Sequence, residues 1–130
     1  MIILDAPYAL VTLDEEKKLG RVTWKGKSTS EEYKNIFTVM LDIQIKYGIT
    51  RYMSDIRKQA VISPEDRKWF ETVALPRAVE QGLQAAAVVF DGNVFKKYYI
   101  NVILGATNKF GLPLKVFNDD FEAEQWLLSK

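Results

Sequence analysis

Hydrophobic and polar residues alternate along the first part of the chain with the two-residue period of a β-strand. Residues 8–13 and 19–25 each predict a strand, and the polar link from Asp14 to Lys18 predicts that they form an antiparallel hairpin. Residues 2–4 predict a short edge strand beside this hairpin. The N-terminal part of the chain is therefore expected to be antiparallel sheet.

A helix is predicted after the hairpin, between Thr29 and Gly48. Thr29 is a suitable N-cap with Glu32 three residues on, which is the spacing of a capping box, and Gly48 is a suitable C-terminal stop. One apolar stripe at helical spacing indicates the face that packs on the sheet. Its members are Tyr33, Ile36, Phe37, Met40, Leu41 and Tyr47.

Three more strands are predicted, and helices separate them. The strands are residues 51–56, 85–90 and 114–117, and the second is apolar on both faces, which predicts a central strand covered by helices on each side. Strands that alternate with helices are joined by right-handed crossovers and run parallel. The predicted fold class is therefore α/β, a mixed sheet with an N-terminal antiparallel hairpin followed by parallel βα units, in a single domain over residues 1–130.

The helices of these units begin and end at recognisable signals. Residues 63–66, Ser-Pro-Glu-Asp, combine a cap, a proline in the first turn and acids near the positive end of the helix dipole. Pro76 lacks an N–H and crowds the preceding turn. We therefore expect a kink or a break near Leu75, with a second short helix to Gly82. The turn residues 91–93, Asp-Gly-Asn, predict the start of the next helix.

Four short segments carry a resemblance to a known family through their order and spacing. They are residues 22–26, 55–57, 61–66 and 75–76. In these segments the chain resembles the STAS-like, or SpoIIAA-like, domains, the fold of bacterial anti-sigma-factor antagonists, and the resemblance covers nearly the whole chain. It implies a small bacterial protein, a fold related in architecture to the CRAL-TRIO lipid-transfer domains, and a role in binding rather than in catalysis.

One feature of the regulatory members of that family is missing. They carry an Asp-Ser or Asp-Thr pair whose hydroxyl is phosphorylated at a helix start, whereas here Asp55 is followed by Ile56-Arg57-Lys58. The phosphorylation switch is therefore not carried over, and the sequence leaves open whether Ser54 or Ser63 is modified.

Composition excludes several classes of function. The 18 basic and 17 acidic residues give a net charge of +1, which offers no footprint for nucleic acid. The pairs Lys17-Lys18, Arg67-Lys68 and Lys96-Lys97 are scattered and are expected to lie on solvated faces or turns. The longest apolar run, residues 85–90, is too short to span a membrane. A soluble cytoplasmic protein is expected.

The residue types needed for most catalysis are absent. The chain has no cysteine and no histidine, which excludes thiol chemistry and a Ser–His hydrolase. No catalytic residue, metal site or cofactor is predicted. An enzyme that relies on Asp55 or on a tyrosine remains as the last alternative.

A polar surface is predicted where the parallel strands end, because ligands bind at that edge of an open α/β sheet. As structure, Asp55 would pair with Arg57, and the remaining residues would cap turns and helices. As function, they would form a partner or ligand surface. The candidates are Asp55, Arg57, Lys58, Ser63, Asp91 and Asn93.

An apolar pocket between the kinked helix, the next helix and the sheet is the other candidate. Its residues are alternatively core, which their helical spacing also explains. The adjacent Tyr98 and Tyr99 are expected to point in different directions. The candidates are Trp69, Phe70, Phe95, Tyr98, Tyr99 and Ala106.

Two main functions follow. The first is a non-enzymatic interaction or regulatory module with a protein partner, for which charge reversal at Arg57 or Lys58 is expected to weaken partner capture without unfolding. The second is a binder of a small apolar ligand or lipid, for which Ala106→Trp is expected to displace the ligand. Homodimerisation through the edge strand or an exposed aromatic face is left open.

Overall fold

The sheet of the computed structural model contains six strands, and their order in space follows their order in the chain. The first three strands pair antiparallel, and each later strand pairs parallel with the one before it. The structure describes residues 1–130 except for the side chain of Phe95. The predicted mixed α/β sheet is confirmed, with strand bounds within two residues of those predicted. The strands are β1 Ile2–Ala6, β2 Ala9–Asp14, β3 Leu19–Trp24, β4 Arg51–Asp55, β5 Ala85–Val89 and β6 Leu114–Phe117.

The helices connect and cover these strands. The capping box of Thr29 and Glu32 is present, and Gly48 ends the first helix in the left-handed conformation, as predicted. Within the described residues, none of the helices combines the length and the apolar character that crossing a membrane requires. The helices are α1 Ser30–Tyr47, α2 Pro64–Trp69, a π-helical turn Phe70–Ala74, α3 Leu75–Glu80, α4 Val94–Lys109 and α5 Asp120–Leu128.

The irregularity predicted near Leu75 takes the form of the π-helical turn. Pro76 has no N–H to donate to the carbonyl of Thr72. The N–H of Leu75 instead bonds to the carbonyl of Phe70, five residues back, and helical structure continues to Glu80. The backbone hydrogen-bond pattern of the segment therefore changes from α to π without interrupting the helix. π-Helical turns of this kind are frequent at functional sites.

Helices lie on both faces of the sheet, so the sheet separates two apolar layers of the core. On one face, α1 and α4 pack with the π-helical turn against side chains such as Val22 and Val88. On the other face, Ala123 and Leu127 of α5 pack against Met53 and its neighbours. β5 contributes to both layers, as its apolar sequence predicted. It lies one place in from the edge rather than at the centre, because burial on both faces depends on the helices and not on strand position.

The edge strand β1 is longer than predicted and irregular. Its register against β2 shifts between Ile2 and Leu4, and the Lys25 Nζ donates to the Ala6 carbonyl at 3.0 Å and to Asp5 Oδ1 at 2.8 Å. Bulges and lysines at an edge discourage pairing with the edge of another sheet.

Candidate functional site

Parallel strands end together, so the loops after β4, β5 and β6 meet at one edge of the sheet. Asp55 is the last residue of β4, and its side chain is buried. Arg57 donates to it from Nε at 3.0 Å and from Nη2 at 2.7 Å, and the Arg57 backbone N–H adds a third bond at 3.1 Å. The Arg21 Nη2 lies 3.7 Å from the same carboxylate and bonds to Asp120 at 2.8 Å. Asp55 is thus the centre of an ion-pair cluster that ties β3, β4 and α5 together.

The arginines keep both carboxylates ionised. Burial by itself raises the pKa of Asp55, but the hydrogen bonds from Arg57 and the charge of Arg21 outweigh it and leave that pKa below its ordinary value. The hydrogen bond from Arg21 likewise lowers the pKa of Asp120. The ion-pair reading of Asp55 and Arg57 from the sequence therefore describes their geometry correctly.

Lys96 is a site residue that the sequence analysis placed wrongly on a solvated face. It is 7% exposed, and its Nζ donates to the carbonyl of Ile56 at 2.7 Å and to the carbonyl of Arg57 at 3.0 Å. Asp91 Oδ2 lies 3.9 Å from the same nitrogen. The helical spacing could have predicted this burial, because Lys96 falls on the same helical stripe as Tyr99 and its buried neighbours. Lys96 is therefore a buried lysine whose hydrogen bonds join α4 to the loop after β4.

The rest of that loop, residues 56–63, is held by backbone hydrogen bonds and a cap. The Gln59 N–H bonds to the Ile56 carbonyl, and the Ala60 N–H bonds to the Gly26 carbonyl, both at 3.1 Å. Ser63 caps α2 by accepting from the Asp66 N–H at 3.2 Å. The Ser63 hydroxyl is therefore engaged in capping and is not joined to the Asp55 cluster.

Lys58, Val61 and Ser63 of the loop are exposed, and one polar side chain is buried. Val61 is 64% exposed and Lys58 lies in solvent. Gln59 is buried, and its Nε2 finds no hydrogen-bond acceptor among the described residues. In the neighbouring loop the Asn93 N–H bonds to Asp91 Oδ1 at 3.0 Å, so this pair forms the turn that its residue types predicted.

An apolar cavity of about 80 Å³ lies on the face of the sheet that carries α1, the π-helical turn and α4. Phe70 and Tyr99 line it, as the sequence analysis proposed. Its further walls include Phe37, Met40 and Ile103. The predicted place of a pocket, between the kinked helix, the next helix and the sheet, is therefore occupied by a real cavity.

Other residues predicted for the pocket lie elsewhere. Trp69 packs on Tyr33 with ring centroids 6.4 Å apart. Tyr98 is 65% exposed, and the Arg67 guanidinium stacks 4.8 Å above its ring. Ala106 packs with Leu75 and Leu112, which line the cavity, but it does not itself line it. The Phe95 side chain lies outside the described residues. The different directions predicted for Tyr98 and Tyr99 are confirmed, because Tyr98 is exposed whereas Tyr99 is buried.

Four of the residues that line the cavity carry hydroxyl groups, namely Tyr52, Ser54, Tyr99 and Thr107. The Tyr99 hydroxyl lies 2.9 Å from the Tyr33 hydroxyl. Burial raises the pKa of Tyr33 well above its ordinary value and that of Tyr99 to about 12, so both stay protonated. The Ser54 Oγ accepts from the Trp24 indole N–H at 3.3 Å. The cavity thus has an apolar wall and a small number of neutral polar groups, which is the usual composition of a ligand site.

The fold resembles that of a known structure over most of its length. An uncharacterised protein of the DUF3478 family from Shewanella loihica PV-4, with a SpoIIAA-like fold, matches with a TM-score of 0.60 and 18% sequence identity, covering 92% of this chain and 91% of that one. No family model matches the sequence, and no curated protein matches it significantly. A likeness at this low sequence identity shows a shared fold and no more. The chain therefore has a SpoIIAA-like fold.

Proposed function

We propose that the protein is a non-enzymatic interaction or regulatory module that contacts a protein partner through the β4–α2 loop, residues 56–63. A SpoIIAA-like fold fits a module of this kind. The observation that carries the proposal is the combination of a fixed loop backbone with exposed side chains. A surface of this type binds with a small loss of conformational entropy.

The loop is fixed at several points although it has no regular secondary structure. Lys96 holds its first two carbonyls, Gly26 accepts from its middle, and Ser63 ends it as the cap of α2. Val61 and Lys58 point into solvent from this fixed backbone. An exposed apolar side chain and an exposed cation on the same loop favour a partner surface that combines a shallow apolar depression with acidic residues.

The state of Asp55 supports a binding role rather than catalysis. Both carboxylate oxygens accept hydrogen bonds from Arg57, and the charge of Arg21 adds to them. A general base needs a pKa near the working pH and access to substrate, whereas this carboxylate is buried and has a lowered pKa. Asp55 therefore serves to position the start of the loop.

The geometry also decides which substitution tests the surface. Reversing Arg57 would set a glutamate against the buried Asp55, so the expectation that this change leaves the fold intact is abandoned on electrostatic grounds. Lys58 is exposed and is the clean choice. Lys109 is the matched control, because it is an exposed lysine at the end of α4, away from the carboxyl ends of the strands where the 56–63 loop lies.

The experiment compares the proteins that immobilised wild type, Lys58→Glu and Lys109→Glu retain from a lysate of the source organism, quantified by mass spectrometry. A specific partner should be retained at least about fivefold less by Lys58→Glu, as for loss of an interface charge pair, and equally by Lys109→Glu. Val61→Asp should give the same loss as Lys58→Glu. Equal retention by all variants, each with a wild-type circular dichroism spectrum, would remove this loop as the contact surface.

Binding of a small apolar ligand is the second candidate function, and the cavity is the observation that favours it. Its volume of about 80 Å³ is well below the roughly 300–1,000 Å³ of sites for drug-sized ligands. A lipid would require the walls to move apart, so this form of the protein suits a much smaller molecule. Ala106→Trp is a less direct test, because Ala106 is not among the residues that line the cavity.

Ala78 of α3 lines the cavity and offers a better substitution. Xenon binds to apolar cavities of this kind, and its uptake is measured by the NMR shift of dissolved ¹²⁹Xe. Wild type should bind xenon, and Ala78→Leu, which fills the cavity, should not. Equal uptake by both proteins would show that xenon occupies another place.

A further inference from the structure

We propose that the cavity takes a small, neutral, largely apolar molecule that carries one hydrogen-bond acceptor, and that the Tyr99 hydroxyl donates to that acceptor. The proposal rests on the second function named above and adds the chemistry of the ligand. It follows from the hydrogen-bonding capacity of the hydroxyls around the cavity.

The Tyr33–Tyr99 pair has one donor more than it has acceptors in use. Each hydroxyl carries one proton, and the 2.9 Å contact between the two oxygens uses one of them. Within the described part of the chain, this contact is the only hydrogen bond that either hydroxyl makes. Tyr99 lines the cavity and Tyr33 does not. In the proposed arrangement the Tyr33 hydroxyl donates to Tyr99, and the Tyr99 proton remains for a ligand in the cavity.

The other hydroxyls of the wall support an acceptor ligand. The Ser54 oxygen already accepts from the Trp24 indole, and it retains a proton to donate. Thr107 donates to the carbonyls of Ile103 and Leu104 and offers no further proton. The fourth hydroxyl of the wall, that of Tyr52, donates to the Met40 carbonyl. The protons that lack an acceptor among the described residues are therefore those of Ser54 and Tyr99. A buried donor without an acceptor is costly, and a carbonyl or ether oxygen would accept from one of them.

Charge and size narrow the ligand further. None of the described residues that line the cavity is ionisable near neutral pH, since its two tyrosines, Tyr52 and Tyr99, both have a raised pKa. Burying a charged ligand there without a counter-charge would be costly. The cavity of about 80 Å³ is roughly half the 150 Å³ cavity that holds benzene. A neutral molecule with about four heavy atoms, such as a small ketone, aldehyde or ether, fits these limits.

The test uses two probes of the same shape, acetone and 2-methylpropene, because only acetone carries an acceptor oxygen. Both are titrated into wild type, Tyr99→Phe and Tyr33→Phe and followed by heteronuclear NMR. The two variants lose the same Tyr–Tyr hydrogen bond, so they share its cost in stability, but only Tyr99→Phe removes the donor assigned to the ligand. Acetone should bind about 3- to 10-fold more weakly to Tyr99→Phe than to Tyr33→Phe, the factor that a single net hydrogen bond gives, whereas 2-methylpropene should bind equally to both.

The outcomes separate this inference from the function on which it rests. If 2-methylpropene binds but acetone binds equally to both variants, the role of Tyr99 is wrong and the apolar cavity still binds ligand. If neither probe binds wild type, both the inference and the second function are overturned. Wild type alone gives an independent check, because intermolecular NOEs should place the acetone methyl groups beside Tyr99 and Ile103, and NOEs to another surface would overturn the site.

Discussion

Lys96→Met should destabilise the protein although it replaces a charged residue with an apolar one. The methionine keeps the apolar stem but removes two hydrogen bonds, of 2.7 Å and 3.0 Å, from the ammonium to the carbonyls of Ile56 and Arg57. Hydrogen bonds from a charged donor contribute about 1.5–3 kcal/mol each, and the relief of burying the ammonium offsets part of that sum. We expect the free energy of unfolding to fall by about 2–3 kcal/mol, with the two carbonyls left without this donor.

Urea unfolding followed by circular dichroism measures this loss, and thermal unfolding should show a Tm lower by about 6–12 °C for a chain of this length. Lys97→Met is the matched control, because Lys97 is adjacent in sequence and exposed, and surface substitutions change stability by about 0.5 kcal/mol or less. Equal unfolding free energies for the two variants would refute the stabilising role of the two Lys96 hydrogen bonds. Lys96→Met should also weaken partner capture, since it releases the start of the 56–63 loop.

Three further predictions concern the core and the ion-pair cluster. A methyl group on Gly20 would lie 2.2 Å from the Tyr52 ring, so Gly20→Ala should lower the unfolding free energy by about 2 kcal/mol. Gly105 has open space around it, so Gly105→Ala should stabilise α4. Equal unfolding free energies of the two variants in urea would contradict this reasoning. Gln59→Met removes a buried amide whose nitrogen has no hydrogen-bond acceptor among the described residues and should raise Tm, and a fall of several degrees would show that this nitrogen is satisfied in solution. The lowered pKa of Asp55 contributes stability that is present above its unfolded value of about 3.9 and is lost as pH falls through its lower folded value. The unfolding free energy should therefore fall below about pH 4, less steeply in Asp55→Asn, and equal slopes would exclude that carboxylate as the cause.

Much of the fold could be predicted because its signals are local. The signals are the caps at Thr29 and Gly48, the period of the apolar residues and the proline at 76. Each depends only on neighbours within a few positions, so its effect on secondary structure can be predicted from the local sequence. The pairing of Asp55 with Arg57 was also accessible, since the two residues are separated by a single position. Local chemistry of this kind needs no knowledge of what packs above it.

The candidate site could be predicted only in part, because it depends on residues distant in sequence. Arg21 and Asp120 are 99 positions apart and meet because β3 and the start of α5 reach the same edge of the sheet. The Tyr33–Tyr99 pair joins two helices over 66 positions. No spacing rule links such residues, so no local pattern could have paired them.

The sequence by itself determined where helices and strands form, which strands are parallel and which residues can carry charge or chemistry. Tertiary structure alone decided the environment of each residue: Lys96 became a buried donor and its neighbour Lys97 a solvated one. It also decided that the apolar side chains around Tyr99 leave a cavity of about 80 Å³. The physical reason is that secondary structure follows from the period of the chain, whereas burial, pKa and cavity volume follow from how separate elements pack against one another.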